Sequence, residues 1–230
     1  MSPRPLATIR RKLLDHHGEF ARPAMEDPFQ WILWEQVAYL ADDEKRRRAF
    51  DLLARRVGLA PSEIAKAKPS ALEAIAASGG SIAADKRAER MKDSARRVLS
   101  EWEGDLGKAL RLPLPEAIRA LSRFPMIGRP GAEKILLLTR AHPVLALESN
   151  GLRVLLRLGY GTEDRRYERT YESVRATAAE EAGKDLDDLI SLHHLLRRHG
   201  QTVCRNTTPA CDRCPLTAEC AFFGARSDRS

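Results

Sequence analysis

Cys204-x6-Cys211-x2-Cys214-x5-Cys220 is the stretch on which the interpretation of this chain depends. It contains all four cysteines of the 230-residue sequence. The short loops between these cysteines can bring four thiolates to one metal centre. This ligand spacing is typical of a [4Fe-4S] cluster, so the sequence predicts an iron–sulfur site.

Two other chemistries compete with the cluster. Zinc also accepts four cysteine ligands, although its sites usually contain two separated Cys-x2-Cys pairs and this chain has one. Disulfides form in oxidising compartments, and the N-terminal sequence MSPRPLATIRRKLL lacks the apolar stretch of an export signal. We therefore expect a cytoplasmic protein and favour metal or redox chemistry, with zinc and disulfides as open alternatives.

The composition limits the fold class and the kind of partner. The length suits one large domain or two small ones, and 43% hydrophobic residues are enough for a core. Few aromatic residues and many Ala, Leu and Arg residues favour a mostly helical protein, and no apolar stretch is long enough for a membrane span. The net charge of +7 suits a polyanionic partner, although a solvated basic surface explains it equally well.

Helical periodicity dominates the chain, and no strand alternation is evident. A helix is expected to start at Asp27-Pro28, where an N-cap residue precedes a proline, and Gly200 is expected to end the last long helix. The predicted helices cover about residues 6–16, 27–40, 46–56, 84–102, 113–124, 131–140, 151–158, 167–182 and 185–198, with short helices that start at Pro61 and Pro69.

The segment Leu121-Ser-Arg-Phe-Pro125-Met-Ile127-Gly128-Arg129 lies between two of these helices. It has the form of a helix–hairpin–helix turn, in which glycine permits a positive φ and the N-terminus of the next helix offers N–H groups to a phosphate. Such contacts position DNA without reading its sequence. Pro125, Ile127, Gly128 and Arg129 are therefore candidate DNA-binding residues.

Two further segments follow in order. Leu147-Glu-Ser-Asn-Gly-Leu-Arg-Val154 comes about twenty residues after Gly128, and Leu192-His-His-Leu195 precedes the cysteine loop. Together with the hairpin and the cysteine spacing, these segments resemble the endonuclease III / adenine-glycosylase superfamily of helix–hairpin–helix DNA glycosylases. The resemblance covers about residues 27–222.

The resemblance implies an all-α, two-lobed protein that binds double-stranded DNA as a monomer and turns the target nucleotide out of the base stack. One lobe, residues 27–147, would be a helical barrel with the hairpin at about 114–141. The other lobe would join residues 1–26 to 148–224 and carry a mainly structural [4Fe-4S] cluster, with 225–230 as a disordered tail. A bacterial protein of this kind would be associated with the nucleoid and not with a membrane.

Glu148 occupies the place of the family's essential aspartate, just ahead of a helix. A carboxylate beside the positive end of a helix dipole can stabilise oxocarbenium character at the sugar or orient a water. The alternative is that Glu148 only caps the helix. Pro130 stands where bifunctional members carry their Schiff-base lysine, so that lyase chemistry should be absent, and Lys134 is the substitute nucleophile to consider.

Glu35 matches the general-acid glutamate of the adenine-glycosylase branch. We expect Glu35 to share a helical face with Trp31 and Tyr39, where desolvation among aromatic rings would raise the carboxyl pKa and let it protonate a leaving purine. The alternative is a solvent-facing glutamate beside core aromatic residues.

Three other residues complete the candidate DNA-binding set. Leu40 lies where family members place a residue that fills the emptied base stack, and Ile82 is a second apolar wedge of this type. A plain core leucine is the alternative for Leu40. Arg205 in the cysteine loop is a cationic candidate for the DNA backbone, with an ordinary solvated arginine as its alternative.

These features favour a base-excision-repair glycosylase that hydrolyses the N-glycosidic bond of a damaged or mispaired base. The alternatives are a catalytically silent iron–sulfur protein that binds damaged or structured DNA, and an iron–sulfur electron-transfer or redox-sensing protein. Glu148 and Pro130 favour the silent binder, whereas Glu35 and the intact scaffold favour the enzyme.

Overall fold

The structure is a computed structural model, and it describes residues 5–20 and 25–227. Regular secondary structure in these two ranges is helical throughout, so the predicted all-α class is confirmed. No helix in the described ranges is both long enough and apolar enough to cross a membrane. The elements are α1 (Leu6–His17), α2 (Pro28–Val37), α3 (Asp43–Arg56), α4 (Pro61–Lys66), α5 (Pro69–Ser78), α6 (Ala84–Glu101), α7 (Gly107–Leu110), α8 (Leu114–Leu121), α9 (Arg129–Leu138), α10 (Ser149–Arg157), α11 (Tyr167–Ala182), α12 (Leu186–Thr202), the 3₁₀ turns Cys211–Arg213 and Thr217–Glu219, and α13 (Ala221–Ser227).

The chain divides into two compact units. The central unit comprises residues 25–141 and contains α2 to α9, and the two-segment unit joins residues 5–20 to 142–227 and contains α1 and α10 to α13. The lobe boundaries at residues 27 and 147 stay a prediction. Of the expected disordered tail at 225–230, residues 225–227 belong to α13, and residues 228–230 lie outside the described residues.

Acidic N-caps start several helices, because a carboxylate satisfies N–H groups that lack a partner in the first turn. The Oδ1 atom of Asp27 accepts a hydrogen bond from the N–H of Phe29 at 2.8 Å, and Pro28 occupies the first turn of α2. Asp42 and Asp185 cap α3 and α12 in the same way. Burial raises the pKa of Asp27 even though its hydrogen bonds to backbone N–H groups oppose the shift.

Helix α6 lies at the centre of the central unit. Its buried residues Ala88, Met91, Ala95 and Val98 recur at helical spacing and form one apolar face. Helices α2, α4 and α5 pack against α6. Each large apolar side chain that is buried in this way stabilises the fold by about 1.5–3 kcal/mol.

A buried glutamine connects three segments of the central unit. The Nε2 atom of Gln36 donates to the Oγ atom of Ser94 at 2.8 Å and to the carbonyl of Pro125 at 3.0 Å. Helices α2 and α6 are thereby tied to the turn ahead of α9. Loss of the glutamine would leave the Pro125 carbonyl short of a donor, and an unpaired buried polar group costs about 1–3 kcal/mol.

The two-segment unit is built on the contact of α10 with α12. Gly200 lies inside α12, which ends at Thr202, so the prediction that Gly200 ends this helix is wrong. The reason is a tertiary contact, because an added Cβ on Gly200 would lie 2.6 Å from the carbonyl oxygen of Asn150. Glycine at this position therefore allows α10 and α12 to approach closely and does not end the helix.

We predict that Gly200→Ala lowers the free energy of unfolding by about 1–3 kcal/mol, since overpacking forces the backbone of two helices apart. The matched control is Gly224→Ala in α13, where an added Cβ would meet no atom within 4 Å. That control should gain about 0.5–1 kcal/mol from the better helix propensity of alanine. Urea unfolding curves measure both changes, and equal stability of the two variants would contradict the packing argument.

Candidate functional site

The turn between α8 and α9 lies at the predicted helix–hairpin–helix position of the central unit. Gly128 is the N-cap of α9, and no described side chain caps this helix. The φ of Gly128 is −83°, which is open to any residue, whereas Met126 has a φ of 67°. The expectation that Gly128 supplies the positive φ is therefore wrong, and Met126 holds a left-handed conformation that costs roughly 1–2 kcal/mol without glycine.

The side chains of this turn are largely engaged in the fold. Ile127 is buried, so only its main chain can face a ligand. The Nε atom of Arg129 donates to Oε1 of the fully buried Glu133 at 3.0 Å, while the Arg129 side chain stays 41% exposed. The ion pair fixes a cation at the uncapped N-terminus of α9.

The surroundings of Glu35 differ from the expected aromatic environment. Helix α2 ends at Val37, so Tyr39 lies beyond it and does not share a helical face with Glu35. Two cations approach the carboxylate instead: Nζ of Lys134 lies 2.5 Å from Oε1, and Nη1 of Arg46 lies 3.8 Å from Oε2. These ion pairs engage the carboxyl group that a general acid would present to a leaving base.

The same contact limits Lys134 as a nucleophile. The Lys134 side chain is only 17% exposed and faces the Glu35 carboxylate. Schiff-base chemistry needs an amine that is positioned to attack the sugar, and this amine is held against a carboxylate. The geometry therefore favours a structural ion pair.

Leu40 and Ile82 lie on loops of the central unit and are 80% and 54% exposed. Leu40 also has a positive φ of 49°. This exposure excludes the alternative that Leu40 is a plain core leucine. Both side chains are available for an external apolar contact.

Glu148 is the N-cap of α10 in the two-segment unit. Its Oε1 atom accepts hydrogen bonds from the N–H groups of Asn150 at 2.8 Å and Gly151 at 2.9 Å, and its Oε2 atom accepts one from Nδ2 of Asn150 at 2.9 Å. These three donors fix the orientation of the carboxyl group at the positive end of the helix dipole. Glu148 is thus a cap and, at the same time, an anion with a fixed orientation.

Tyr167, which no sequence pattern singles out, lies in the electrostatic field of Glu148. It is the first residue of α11 and 43% exposed, and its ring stacks on Tyr171 with 6.3 Å between centroids. Partial burial raises the pKa of Tyr167 to about 12, and the charge of Glu148 adds to the shift. The hydroxyl of Tyr167 consequently stays protonated near neutral pH.

A chain of hydrogen bonds leads from Glu148 to the cysteine loop. The Oδ1 atom of Asn150 accepts from Nη2 of Arg153 at 2.8 Å. The same guanidinium donates to the carbonyls of Gly200 at 2.8 Å and Cys204 at 3.0 Å. The backbone of the first cysteine is therefore tied to the N-terminal turn of α10.

The four cysteines are free thiols that line one cavity, together with Val203, Pro209, Ala210 and other residues of the loop. Among the residues that the structure describes, no three His, Cys, Asp or Glu side chains are grouped closely enough to hold one metal ion. A zinc ion would need its sulfur ligands about 2.3 Å from one point. A [4Fe-4S] cluster takes one thiolate at each of its irons, and four thiols that line one cavity match that donor set.

The protonation of the thiols depends on a metal. Burial raises the pKa of Cys214 to about 11 and shifts the pKa of Cys220 upward as well, and the neighbouring cysteines add to both shifts. A coordinated metal reverses this preference because its positive charge deprotonates the thiol. A metal bound by these thiols would therefore release their protons.

Arg157 at the end of α10 holds the start of the cysteine loop. Its Nη1 atom donates to the carbonyl of Arg205 at 2.8 Å and lies 3.3 Å from Sγ of Cys204. Its Nη2 atom donates to the carbonyl of Asn206 at 2.9 Å, and the guanidinium lies 4.5 Å from the ring centroid of Phe222. The side chain of Arg205 is exposed, and its role at the DNA backbone stays a prediction.

Two histidines lie behind Cys214. The Nε2 atom of His199 is 3.4 Å from Sγ of Cys214, and its Nδ1 atom is 3.1 Å from Nε2 of His17. When Cys214 is a thiolate, His199 must donate through Nε2, so its Nδ1 accepts from His17. Burial lowers the pKa of His199 to about 3 and that of His17 to about 4, so both rings are neutral near pH 7, as this donor chain requires.

Comparison with solved structures identifies the class of fold. The chain is similar to a thermostable thymine-DNA glycosylase, with a TM-score of 0.77 and 16% identity over 96% of this chain and 97% of that chain. It is also similar to endonuclease III in a non-covalent complex with DNA, with a TM-score of 0.74 and 20% identity over 97% of this chain and 95% of that chain. The fold is that of the DNA glycosylases of the endonuclease III type.

Comparison with curated sequences points in the same direction. The chain is 25% identical to endonuclease III of Thermotoga maritima over 200 residues, which cover 87% of this chain and 85% of that protein. No protein-family model matches the chain. The predicted resemblance to the endonuclease III superfamily is confirmed in sequence and in fold.

We predict that acid destabilises the two-segment unit through His17. Its folded-state pKa of about 4 lies below the unfolded value of 6.5, so the unfolded chain binds more protons between these pH values. The stabilisation is complete above pH 6.5 and is lost as the pH falls toward 4. Urea unfolding at pH 7 and pH 5 should show a smaller loss for His17→Gln than for the wild type, and equal losses would contradict the assignment.

Proposed function

We propose that this protein is a base-excision-repair DNA glycosylase that hydrolyses the N-glycosidic bond of a damaged or mispaired base without a Schiff-base lyase step. Similarity to endonuclease III and to a thymine-DNA glycosylase supports a DNA glycosylase. The observation that carries the proposal is the Glu148 carboxylate, which three N–H donors orient at the start of α10. It occupies the sequence position at which the superfamily has its essential acid.

Glu148 would act on the sugar. As the bond to the base lengthens, positive charge develops at the anomeric carbon, and a fixed anion stabilises that charge or orients the attacking water. Because the helix holds the carboxylate before substrate arrives, little reorganisation is needed in the transition state. Glu35 would protonate a purine leaving group only after separation from Lys134, so we assign the main role to Glu148.

The absence of lyase chemistry follows from the start of α9. Pro130 has no amine to attack the sugar, and Lys134 is paired with Glu35 at 2.5 Å. Schiff-base formation requires a positioned, unprotonated amine. Hydrolysis by water is therefore the reaction that these residues support.

Duplex DNA is the proposed partner, bound by a monomer. The uncapped N-terminus of α9 offers main-chain N–H groups to a phosphate, and Arg129 adds a cation beside it. Arg205 would contact the backbone from the cysteine loop. The exposed side chains of Leu40 and Ile82 would fill the gap that the extruded nucleotide leaves.

The proposed cofactor is a [4Fe-4S] cluster on Cys204, Cys211, Cys214 and Cys220. When bound, the cluster supplies a rigid cross-link for a loop that is otherwise held by few buried residues. Arg157 and His199 would donate N–H hydrogen bonds to Cys204 and Cys214, respectively. Such bonds compensate the negative charge of cluster thiolates.

A second candidate is a catalytically silent protein that binds damaged or structured DNA. The hydrogen bonds of Glu148 favour it, because both carboxylate oxygens already accept N–H donors of their own helix. Pro130 also favours the silent protein, because it replaces the lysine on which bifunctional members depend. The two candidates differ in whether a lesion-bearing strand acquires an abasic site.

We predict that the purified protein is yellow-brown, absorbs near about 400 nm and contains about four irons per chain. Cys211→Ser should lose the colour and lower the melting temperature, because the loop loses its cross-link. Thr217→Ala, which lines the same cavity without a thiol, is the control and should keep both. Stoichiometric zinc in protein expressed with ample iron would refute the cluster.

We predict that Glu148→Gln lowers the rate of base excision by about 100-fold or more and leaves DNA binding intact, because the charge is lost and the size is kept. The measurement uses a panel of duplexes with single lesions or mispairs, incubated with protein and then cleaved with alkali. Borohydride should trap neither the wild type nor Lys134→Ala on abasic DNA. Full activity of Glu148→Gln would refute the site.

The same panel separates the two candidate functions. A wild type that excises no base while Glu148→Asp does would identify the silent binder, one methylene away from catalysis. Excision by the wild type identifies the enzyme. Trapping by borohydride that disappears in Lys134→Ala would show that the lysine leaves its ion pair and forms a Schiff base.

A further inference from the structure

Arg87 of α6 is a buried cation whose described partners are all main-chain carbonyls. Its side chain is among the largest that are fully buried, with 1% exposure. Nη1 donates to the carbonyl of Val37 at 2.7 Å, Nη2 to those of Ala76 at 2.9 Å and Gly80, and Nε to that of Ile82 at 3.1 Å. Buried charges usually pair with carboxylates, so this use of carbonyls calls for an explanation.

Two of these carbonyls, those of Gly80 and Ile82, belong to a loop that carries an exposed apolar side chain, and the Val37 carbonyl ends α2 directly before a second such loop. The first loop, residues 38–42, follows Val37 and carries Leu40. The second loop, residues 79–83, follows α5 and carries Ile82. Each loop contains a non-glycine residue in the left-handed region, Leu40 with φ 49° and Ala83 with φ 48°. Left-handed residues persist only where the surroundings determine the backbone, and they cluster at functional sites.

The two loops also contact each other main chain to main chain. An added Cβ on Gly79 would lie 2.4 Å from the carbonyl oxygen of Val37, and one on Gly80 would lie 3.1 Å from that of Tyr39. The two loops are therefore closely apposed at glycines where a side chain would clash. Arg87 connects the second loop to the residue directly before the first, because the guanidinium that binds the Val37 carbonyl at the end of α2 also binds those of Gly80 and Ile82.

We infer that Arg87 is a positioning residue that holds Leu40 and Ile82 as one preformed apolar pair for insertion into the base stack of duplex DNA. The inference rests on the proposed function, which supplies the duplex. Insertion of apolar side chains must offset the cost of unstacking bases. Loops that are already ordered do not lose further conformational entropy on binding, so a preformed pair inserts more readily than two mobile loops.

The variants Arg87→Lys and Arg87→Met distinguish the contribution of the guanidinium hydrogen bonds from the contributions of the positive charge and of the side-chain volume. Lysine keeps the charge, but its single nitrogen lacks the fixed fork with which arginine binds the Val37 carbonyl and the carbonyls of the second loop together. Methionine keeps a similar apolar stem and has no donors. Lys86→Met is the matched control, because Lys86 is exposed on the same helix and the variant loses the same charge.

The experiment has two measurements on the full chain. Hydrogen exchange of the backbone reports the order of residues 38–42 and 79–83 without DNA. The fluorescence of 2-aminopurine beside an abasic-site analogue in a duplex reports unstacking, and the affinity for the same duplex is measured in parallel. The double variant with Leu40→Ala and Ile82→Ala is the reference. It removes the two apolar side chains and should leave the loops ordered.

We expect faster exchange in both loops of Arg87→Lys and Arg87→Met, with a several-fold smaller 2-aminopurine response and little change in affinity. Lys86→Met should match the wild type. The double alanine variant should lose the 2-aminopurine response, while the hydrogen exchange of both loops should match that of the wild type. Arg87→Lys is the more conservative change and keeps the test valid if Arg87→Met fails to fold.

Three outcomes overturn the inference. Normal loop exchange in Arg87→Lys removes the positioning role, whatever the DNA response. Faster exchange with a wild-type 2-aminopurine response shows that insertion does not need ordered loops. Faster exchange spread evenly over α2, α5 and α6 shows a purely structural arginine. A wild type that leaves the 2-aminopurine stacked refutes the proposed duplex interaction itself, and the exchange measurement distinguishes that failure from the others.

Discussion

Helices α10 and α12 approach each other so closely that only glycine fits at position 200, and the candidate site of the two-segment unit depends on this contact. The approach brings the carbonyl of Gly200 within 2.8 Å of Arg153, which also binds Asn150 and the backbone of Cys204. The carboxylate of Glu148 and the cysteine loop are consequently attached to the same few residues of α10. The same hydrogen bonds therefore position both the carboxylate and the start of the cysteine loop.

Local signals in the sequence were sufficient for most helices. Helix α11 matches its predicted range, and α2 begins at the Asp27-Pro28 signal, because caps and prolines act within one turn. The order of the hairpin, the capping acid and the cysteines identified the fold. Each of these patterns depends on neighbouring residues alone.

The errors concern residues whose roles are set by distant parts of the chain. In the sequence, Gly200 resembles the residue that ends a helix. The tertiary structure shows that this glycine instead packs against Asn150. In the sequence, Glu35 resembles an acid among aromatic rings. The structure places Nζ of Lys134, far along the chain, 2.5 Å from its carboxylate. His199 contacts Cys214 across a loop whose path no periodicity describes. Contacts of this kind between distant residues depend on tertiary packing, so they cannot be predicted from the local patterns of a single sequence.

The guanidinium groups of Arg87 and Arg153 bind mainly main-chain carbonyls. Burial lowers the pKa of both Arg87 and Arg153, yet each guanidinium donates to carbonyls of more than one segment. A carbonyl is present whatever the residue, so these contacts specify the path of the backbone and tolerate change in the side chains. Loops fixed in this way can vary their exposed residues while they keep their shape.

The two-segment unit has a consequence for biosynthesis. His17 contacts His199, 182 positions later, and α1 packs on α12, so the first helix waits for its partner until the whole central unit has been made. The central unit has its contacts within residues 25–141 and can form while synthesis continues. The cysteines are translated after all of these elements. Assembly of the cysteine loop is therefore a late event, and α1 lacks its α12 partner while the chain is unfinished.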